Sequence, residues 1–361
     1  MKSKYFISLL FICLLVAAGS AQTNYSESAE YKPRPIATPK KDRKKKSDEK
    51  DKAVTVAVTN VAPVSGDITV TIPVAVLDRT GSALAGIKKE ELSVFVDGAE
   101  VPVVGFEQDK EPVTMVLVLD SSPSTGQRFR TMQEQASKLV GALPLNMRVM
   151  VVDFNVKLNV HMQPTTNRAD ALAAIPKVAF GDGTSIYSAV QFMWEKILSQ
   201  VPGRKVVVMM TDGVDTTSRN SNFARSLMEV EKEGVTIYPV YFDTKNDDHT
   251  RPGNNRPDDW ILQALRQNGV FTPGLARLPG SSESEYKTGL AYLNDLTSAS
   301  GGRMFSSEKL ADGTKSLLEE LANRYYVTIT VPRKNIGSRP VRVRVNRPSL
   351  AVFARGSFLD L

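Results

Sequence analysis

Hydrophobic and polar positions divide the chain into a β-rich flank, a central region of alternating strand and helix patterns, and a second β-rich segment. In the flank, Ile68–Val76 is rich in β-branched residues and Leu92–Val96 is a mostly apolar run, which predicts strands. Asp97 and Gly98 separate Leu92–Val96 from Val101–Phe106. Because an Asp-Gly pair between apolar runs favours a tight turn, these two runs predict a β-hairpin.

The C-terminal segment repeats the strand pattern. Apolar residues alternate with polar or basic ones in Tyr325–Val331 and Val341–Val345. Residues 54–112 and 326–361 together have the size of one small β-sandwich, and we expect them to pair into a single module into which the central region is inserted. Two separate small sheets are the alternative.

Residues 113–325 predict an α/β domain with a doubly wound, mostly parallel sheet. Val113–Leu119 and Val206–Met210 are almost unbroken apolar runs, as expected for strands buried on both faces, and Arg148–Phe154 and Val235–Phe242 predict two further strands. Helical patterns with apolar steps of three and four lie between and after these strands. The residues that carry them are Phe129, Met132, Ala136, Leu139 and Val140; Ile186, Ala189, Met193 and Ile197; Phe223, Leu227 and Val230; and Leu317, Leu321 and Tyr325.

Oxygen-bearing side chains follow the predicted strands at the edge where such sheets bind ligands, beyond the carboxyl ends of the strands. Asp120, Ser122 and Ser124 alternate directly after the first strand, and in an extended loop alternate residues point the same way. Asp212 follows Val206–Met210 in a Thr-Asp-Gly turn, and Thr184 closes a Gly-Asp-Gly-Thr loop that enters a helix. Carboxylate and hydroxyl oxygens suit Mg²⁺, with Mn²⁺ or Ca²⁺ as alternatives.

This constellation resembles the metal-ion-dependent adhesion site (MIDAS) of von Willebrand factor type A domains. The family motif is Asp-x-Ser-x-Ser, a distant Thr and an Asp in a Thr-Asp-Gly turn, which fall in order on Asp120, Ser122, Ser124, Thr184 and Asp212. The flanks also resemble those of secreted bacterial proteins related to this family. The resemblance implies a cation that captures a carboxylate of a protein partner.

Two positions near the motif concern carboxylates that could support the site. Many members carry Asp after the distant Thr, where this chain has Ser185, so a supporting carboxylate is either missing or supplied by Asp182. Asp153, at the end of the second predicted strand, is interpreted either as a loop cap or as a group that supports the site.

The N-terminal residues predict export. Basic Lys2 and Lys4, the apolar run Tyr5–Ala18 and small residues up to Ala21 are typical of a cleaved signal peptide, residues 1–21, so we expect a secreted or periplasmic, cell-envelope protein. Residues 22–53 hold ten Lys and Arg against six Asp and Glu and predict a disordered basic linker. The linker either contacts anionic envelope components or serves as a solvated spacer, which its composition favours.

Composition argues against most other chemistries. The two histidines, His161 and His249, lie in no ligand-spaced motif, and the lone Cys13 lies within the predicted signal peptide, so hydrolysis by a Ser-His pair and zinc sites built from His or Cys are not expected. Most of the net charge of +7 belongs to the first 53 residues, which argues against a nucleic-acid-binding domain. The acidic stretch from Asp243 to His249 reads as a solvated loop rather than a second metal site.

Three functions remain at this stage. The favoured one is a secreted, non-enzymatic module that binds an acidic group of a protein partner through its cation. The second is a structural or assembly subunit of a cell-envelope complex that works independently of the metal. The third is a metal-dependent hydrolase, which lacks an evident general base.

Overall fold

The computed structural model describes residues 66–108, 113–181, 183–245, 247, 282–334 and 337–360. The predicted signal peptide and linker lie outside these residues. Among the helices described, none is long and apolar enough to cross a membrane. The strands are β1 (Asp67–Leu77), β2 (Leu92–Val96), β3 (Ala99–Val101), β4 (Val103–Gln108), β5 (Thr114–Asp120), β6 (Arg148–Phe154), β7 (Leu158–Thr165), β8 (Lys205–Thr211), β9 (Thr236–Tyr241), β10 (Phe305–Ser306), β11 (Tyr325–Pro332), β12 (Gly337–Val345), β13 (Ala351–Ala354) and β14 (Ser357–Asp360). The α-helices are α1 (Phe129–Ala142), α2 (Arg168–Ala174), α3 (Ile186–Phe192), α4 (Phe223–Glu233), α5 (Glu283–Ser300) and α6 (Leu310–Ala322).

A six-stranded sheet in the order β10-β9-β8-β5-β6-β7 forms the centre of the α/β domain. All of its neighbouring strands pair in parallel except β7, which is antiparallel to β6. The predicted fold class, a mostly parallel α/β sheet, is therefore confirmed. β5 is completely buried, because helices cover both faces of the sheet.

The helices place their predicted apolar faces on the sheet. Helices α1, α2 and α6 pack on one face, and α3, α4 and α5 on the other. Gly234 ends α4 with φ of 68°, the left-handed conformation that glycine adopts without strain. The helix expected to carry Ile186, Ala189, Met193 and Ile197 is α-helical only to Phe192 and continues as a π-helical turn at Met193–Ile197. The placement of Tyr325 on the last helix was wrong, because this residue begins β11.

The two flanks form the remaining two sheets. One has the order β13-β1-β11-β4 and the other β14-β12-β2-β3, so strands from before and after the α/β domain are hydrogen-bonded neighbours. Apolar side chains of both sheets share one buried cluster, which includes Val74, Val94, Ile329 and Val343. These two antiparallel four-stranded sheets, whose strands come from before and after the α/β domain, are called the β-sandwich-like module below.

The predicted hairpin after Leu92–Val96 was only partly right. Asp97 and Gly98 form the turn with positive φ angles of 52° and 85°, but β2 pairs only with the short β3. After Pro102, the chain passes to the other sheet, where β4 pairs with β11. Proline has no amide hydrogen for a sheet ladder, which favours a break at this position.

A buried arginine and the glycine that follows it connect the module to two helices of the α/β domain. Arg355, between β13 and β14, is 4% exposed; its guanidinium donates to the carbonyl of Glu231 near the end of α4 and to the carbonyl of Ser357. The adjacent Gly356 amide donates to the carbonyl of Ser298 near the end of α5 at 2.6 Å. A cation thus lies close to the carboxyl ends of two helices, where their dipoles favour positive charge.

Candidate functional site

The parallel pairing of β5 and β8 brings the two candidate carboxylates to one edge of the sheet. Leu119 lies opposite Met210 in the register of these strands, so Asp120 at the end of β5 and Asp212 just after β8 lie on neighbouring strands. Both aspartates are fully buried. The edge is the carboxyl edge of the parallel strands, as predicted.

The Asp-x-Ser-x-Ser loop brings its hydroxyl groups together, although its shape differs from the expected extended loop. Pro123–Thr125 forms a 3-10 turn, for which proline is suited as the first residue because its φ is already fixed. Ser122 Oγ and Ser124 Oγ lie 3.1 Å apart, and the Ser122 amide donates to Asp120 Oδ1 at 3.1 Å. Thr125 Oγ1 closes the turn by donating to the carbonyls of Asp120 and Ser122, both at 2.9 Å.

Hydrogen-bond donors hold both oxygens of each carboxylate. A backbone amide donates to one oxygen: Ser122 N to Asp120 Oδ1, and Val214 N to Asp212 Oδ1 at 3.0 Å. A threonine hydroxyl donates to the other. Thr211 Oγ1 lies 2.5 Å from Asp120 Oδ2, and Thr244 Oγ1 lies 2.8 Å from Asp212 Oδ2.

Thr184 belongs to a loop that is tied to the Asp212 loop. Its side chain is buried, its amide donates to Thr216 Oγ1 at 3.0 Å, and its carbonyl accepts from the amides of Thr216 and Thr217 at 2.8 and 2.9 Å. On the other side, the Gly181 amide donates to the carbonyl of Ser121 at 3.0 Å. The Thr184 loop thus joins the loops that carry the two aspartates.

Asp182 as the source of a supporting carboxylate stays a prediction, and the structure places a further carboxylate, Asp215, beside the start of α3. Asp182 lies outside the described residues, and Ser185 Oγ lies 2.8 Å from Thr217 Oγ1. Asp215, which the sequence analysis missed, accepts hydrogen bonds from the Tyr187 amide at 3.2 Å and from Ser218 Oγ at 2.5 Å. It therefore holds the first turn of α3 against the Asp212 loop. Its position three residues after Asp212 in a turn was the available signal.

Asp153 contacts the Asp-x-Ser-x-Ser loop through Ser121, so it is a supporting group of the candidate site rather than a loop cap. Its buried carboxylate accepts from Ser121 Oγ at 2.5 Å, contacts His161 Nε2 at 2.5 Å and accepts from Asn159 Nδ2 at 3.2 Å. Ser121 is the residue between Asp120 and Ser122, so this network fixes the backbone of the Asp-x-Ser-x-Ser loop. The serine contacts the carboxylate and not the imidazole, unlike a Ser-His-Asp triad.

An ion pair connects the acidic stretch after β9 to the residue just before α1. Arg128, just before α1, donates to both carboxylate oxygens of Asp247 at 2.8–3.0 Å. Asp248 and His249 lie outside the described residues. Asp247 therefore faces an arginine, which argues against a second metal site built on this aspartate.

The electrostatics and the chemistry of the donors fit a divalent cation. Burial, together with the nearby charge of Asp212, raises the pKa of Asp120 to about 8, because two adjacent carboxylates resist ionisation in a dry site. A divalent cation supplies the missing positive charge, and buried carboxylate and hydroxyl oxygens are its preferred ligands. Within the described parts of the chain, no three His, Cys, Asp or Glu side chains form a metal-binding cluster, so such a site depends on hydroxyl ligands.

Comparisons with known proteins match this chain to one family model and to solved structures of low sequence identity. The family model of the von Willebrand factor type A domain matches residues 114–254. An aerotolerance-related membrane protein from Bacteroides fragilis is 16% identical, with 58% of this chain and 98% of that chain covered and a TM-score of 0.44. The von Willebrand factor domain of the type V pili tip protein Mfa5 from Porphyromonas gingivalis is 14% identical (58% and 95% covered, TM-score 0.34).

A third similar structure comes from the mussel byssus. Proximal thread matrix protein 1, described with a zinc-occupied MIDAS motif, is 16% identical, with 63% of this chain and 50% of that chain covered and a TM-score of 0.40. No curated protein matches the chain.

Proposed function

This chain is a von Willebrand factor type A domain protein, and from that premise we propose that it binds a divalent cation and, through it, an acidic group of a protein partner. The cation ligands are Asp120, Ser122, Ser124, Thr184 and Asp212. Mg²⁺ is the proposed cation, with Mn²⁺ or Ca²⁺ as alternatives. The chain acts as a non-enzymatic binding protein that is exported to the cell envelope or beyond.

One observation carries this proposal. Two buried aspartates on neighbouring strands each have both oxygens held by protein donors, and this arrangement fixes their direction before any ligand arrives. Such preorganisation serves ion binding, whereas a purely structural role is better served by burying apolar side chains. With only two formal negative charges from the protein, a bound divalent ion retains affinity for an external carboxylate.

Calorimetric titration of Mg²⁺ and Mn²⁺ into the chain tests the cation site. We expect saturable one-site binding that Asp120→Ala abolishes and Asp212→Ala weakens. Asp312→Ala, in the first turn of α6, is the matched control and leaves binding unchanged. Absence of binding to the wild-type protein, or equal binding by all three variants, contradicts the proposal.

A second candidate function, a structural or assembly subunit, is supported by the outer face of the β-sandwich-like module. Arg342 and Arg344 are exposed on β12, and both guanidinium groups stack over the ring of Phe95, 5.3 and 5.0 Å from its centroid. Stacked arginines can contact an acidic surface without a metal. Partner binding that survives chelation and is lost on replacing both arginines by Gln favours this function.

A further inference from the structure

Two large apolar side chains are exposed at the edge of the sheet that carries the candidate cation site. Phe180 is 52% exposed and Val156 is 43% exposed. Isolated apolar residues are common on protein surfaces and need no explanation. These two, which we call the Phe180–Val156 ledge, differ because both are connected to the same functional loop.

The connection runs through Ser121, within the Asp-x-Ser-x-Ser loop. Gly181, the neighbour of Phe180, donates its amide to the Ser121 carbonyl at 3.0 Å. Asn155, the neighbour of Val156, donates its Nδ2 to Ser121 Oγ at 3.1 Å. Each exposed apolar residue is therefore one position away from a direct contact with the loop that carries three of the proposed ligands.

The ledge is also held in place. The ring of Phe180 packs on Phe129 at the start of α1, with ring centroids 4.5 Å apart. Val156 lies so close to Gly183 that a Cβ at that glycine would be 3.2 Å from the Val156 side chain. Apolar groups that are already ordered lose little conformational entropy when a partner covers them.

We infer that the ledge selects the partner: the protein segment that presents a carboxylate to the cation also carries a large apolar side chain within a few residues of that acid. The inference rests on the proposed function. A carboxylate is common to all acidic segments and gives little discrimination by itself. Burial of an adjacent apolar side chain against Phe180 and Val156 adds free energy that an acidic segment without such a side chain does not provide.

A random peptide display library, bound in Mg²⁺ and eluted with chelator, is the probe. We expect enrichment of Asp or Glu next to aromatic or branched aliphatic residues. The best synthetic peptide is expected to bind a Phe180→Ser/Val156→Thr double variant roughly tenfold more weakly. Leu145→Ser is the matched control with unchanged affinity, since Leu145 is 85% exposed but precedes β6, at the opposite edge of the sheet.

The outcomes separate this inference from the function on which it rests. Acidic peptides without apolar neighbours, or equal affinity for the double variant, overturn the role of the ledge and leave the cation-dependent function intact. Absence of acidic enrichment overturns both. Calorimetric Mg²⁺ titration shows whether the double variant keeps the cation site; if its Mg²⁺ affinity falls, Val156→Thr alone repeats the peptide measurement and decides the same question.

Discussion

Thr244 donates a hydrogen bond from Oγ1 to Oδ2 of Asp212 over 2.8 Å, and both residues are fully buried. Thr211 has the same relationship to Asp120. Each threonine lies at or just after the end of one strand, and its aspartate lies at or just after the end of the neighbouring strand. Thr244 follows β9, which pairs with β8 before Asp212, and Thr211 ends β8, which pairs with β5. The sheet order thus explains why the hydroxyl groups reach the carboxylates.

Loss of the Thr244 hydroxyl is expected to weaken cation binding. Thr244→Val keeps the shape but leaves Asp212 Oδ2 without this donor, and we expect about tenfold lower Mg²⁺ affinity in calorimetry, since groups that orient metal ligands have effects of this order. Thr244→Ser should retain most of the affinity. Thr114→Val is the control: Thr114 Oγ1 is buried without a hydrogen-bond partner in the described structure. Equal affinity of the two valine variants would refute the orienting role.

The raised pKa of Asp120 predicts that the stability of the metal-free protein depends on pH. Burial and the charge of Asp212 raise this pKa from 3.8 to about 8, so between these pH values we expect Asp120 to hold a proton in the folded state that it has released in the unfolded state. The free energy of unfolding should therefore fall as pH rises from about 4 to about 8, with a limiting slope of about 1.4 kcal/mol per pH unit.

Denaturant unfolding in chelator at several pH values measures this slope, and Asp120→Asn should reduce it. Mg²⁺ affinity should rise over the same pH range, because the cation displaces the proton. If the free energy of unfolding in chelator stays constant or rises between pH 5 and 8, and does so equally in the variant and the wild type, Asp120 is not protonated in the folded state.

The buried network around Asp153 is expected to contribute to both stability and cation binding. Asp153→Ala leaves Ser121 Oγ and His161 without their carboxylate partner, and we expect a loss of about 2–3 kcal/mol in the free energy of unfolding. Mg²⁺ affinity should fall as well, because Ser121 lies inside the ligand loop. Asp170→Ala, in the first turn of α2, is the control. Unchanged Mg²⁺ affinity in a folded Asp153→Ala protein would show that the network acts on stability alone.

Arg355 is expected to be among the more important single residues for stability. Burial lowers its pKa to about 10, yet it remains charged at neutral pH. Arg355→Ala removes donors from two carbonyls and takes a buried cation away from the carboxyl end of α4, for an expected loss of about 3 kcal/mol. Thermal unfolding measures this. The exposed Arg344→Ala provides the comparison, and an equal effect of both changes would argue against the role of burial.

The sequence carried the information for the α/β domain because its signals are local. An apolar run such as Val113–Leu119 is typical of a buried central strand, and the spacing of Phe129 and Met132 is typical of a helix; both elements are present. Parallel pairing then determines that side chains after neighbouring strands share one edge. Asp120 and Asp212 were predicted to lie together for that reason, and the family motif gave the same expectation.

Elements that depend on distant partners were not predicted. β7 has half-exposed residues and pairs antiparallel at the sheet edge, so its pattern resembles that of a loop. β3 and β4 follow each other in sequence but join different sheets, and their partners, β2 and β11, cannot be identified from the local sequence. In the site, Thr244 lies 32 positions after the aspartate that it orients, and a single threonine after a strand gives no signal that separates it from others.

The pairing of β1 with β11 has a consequence for the order of assembly. Thr71 and Thr328 face each other across these strands although they are 257 positions apart. Closing so long a loop in an unfolded chain is slow and costs entropy, whereas the α/β domain consists of contacts that are closer in sequence. We expect the inserted domain to fold first and to bring the two ends together. The β-sandwich-like module can then be completed only after the whole insert has been synthesised and folded.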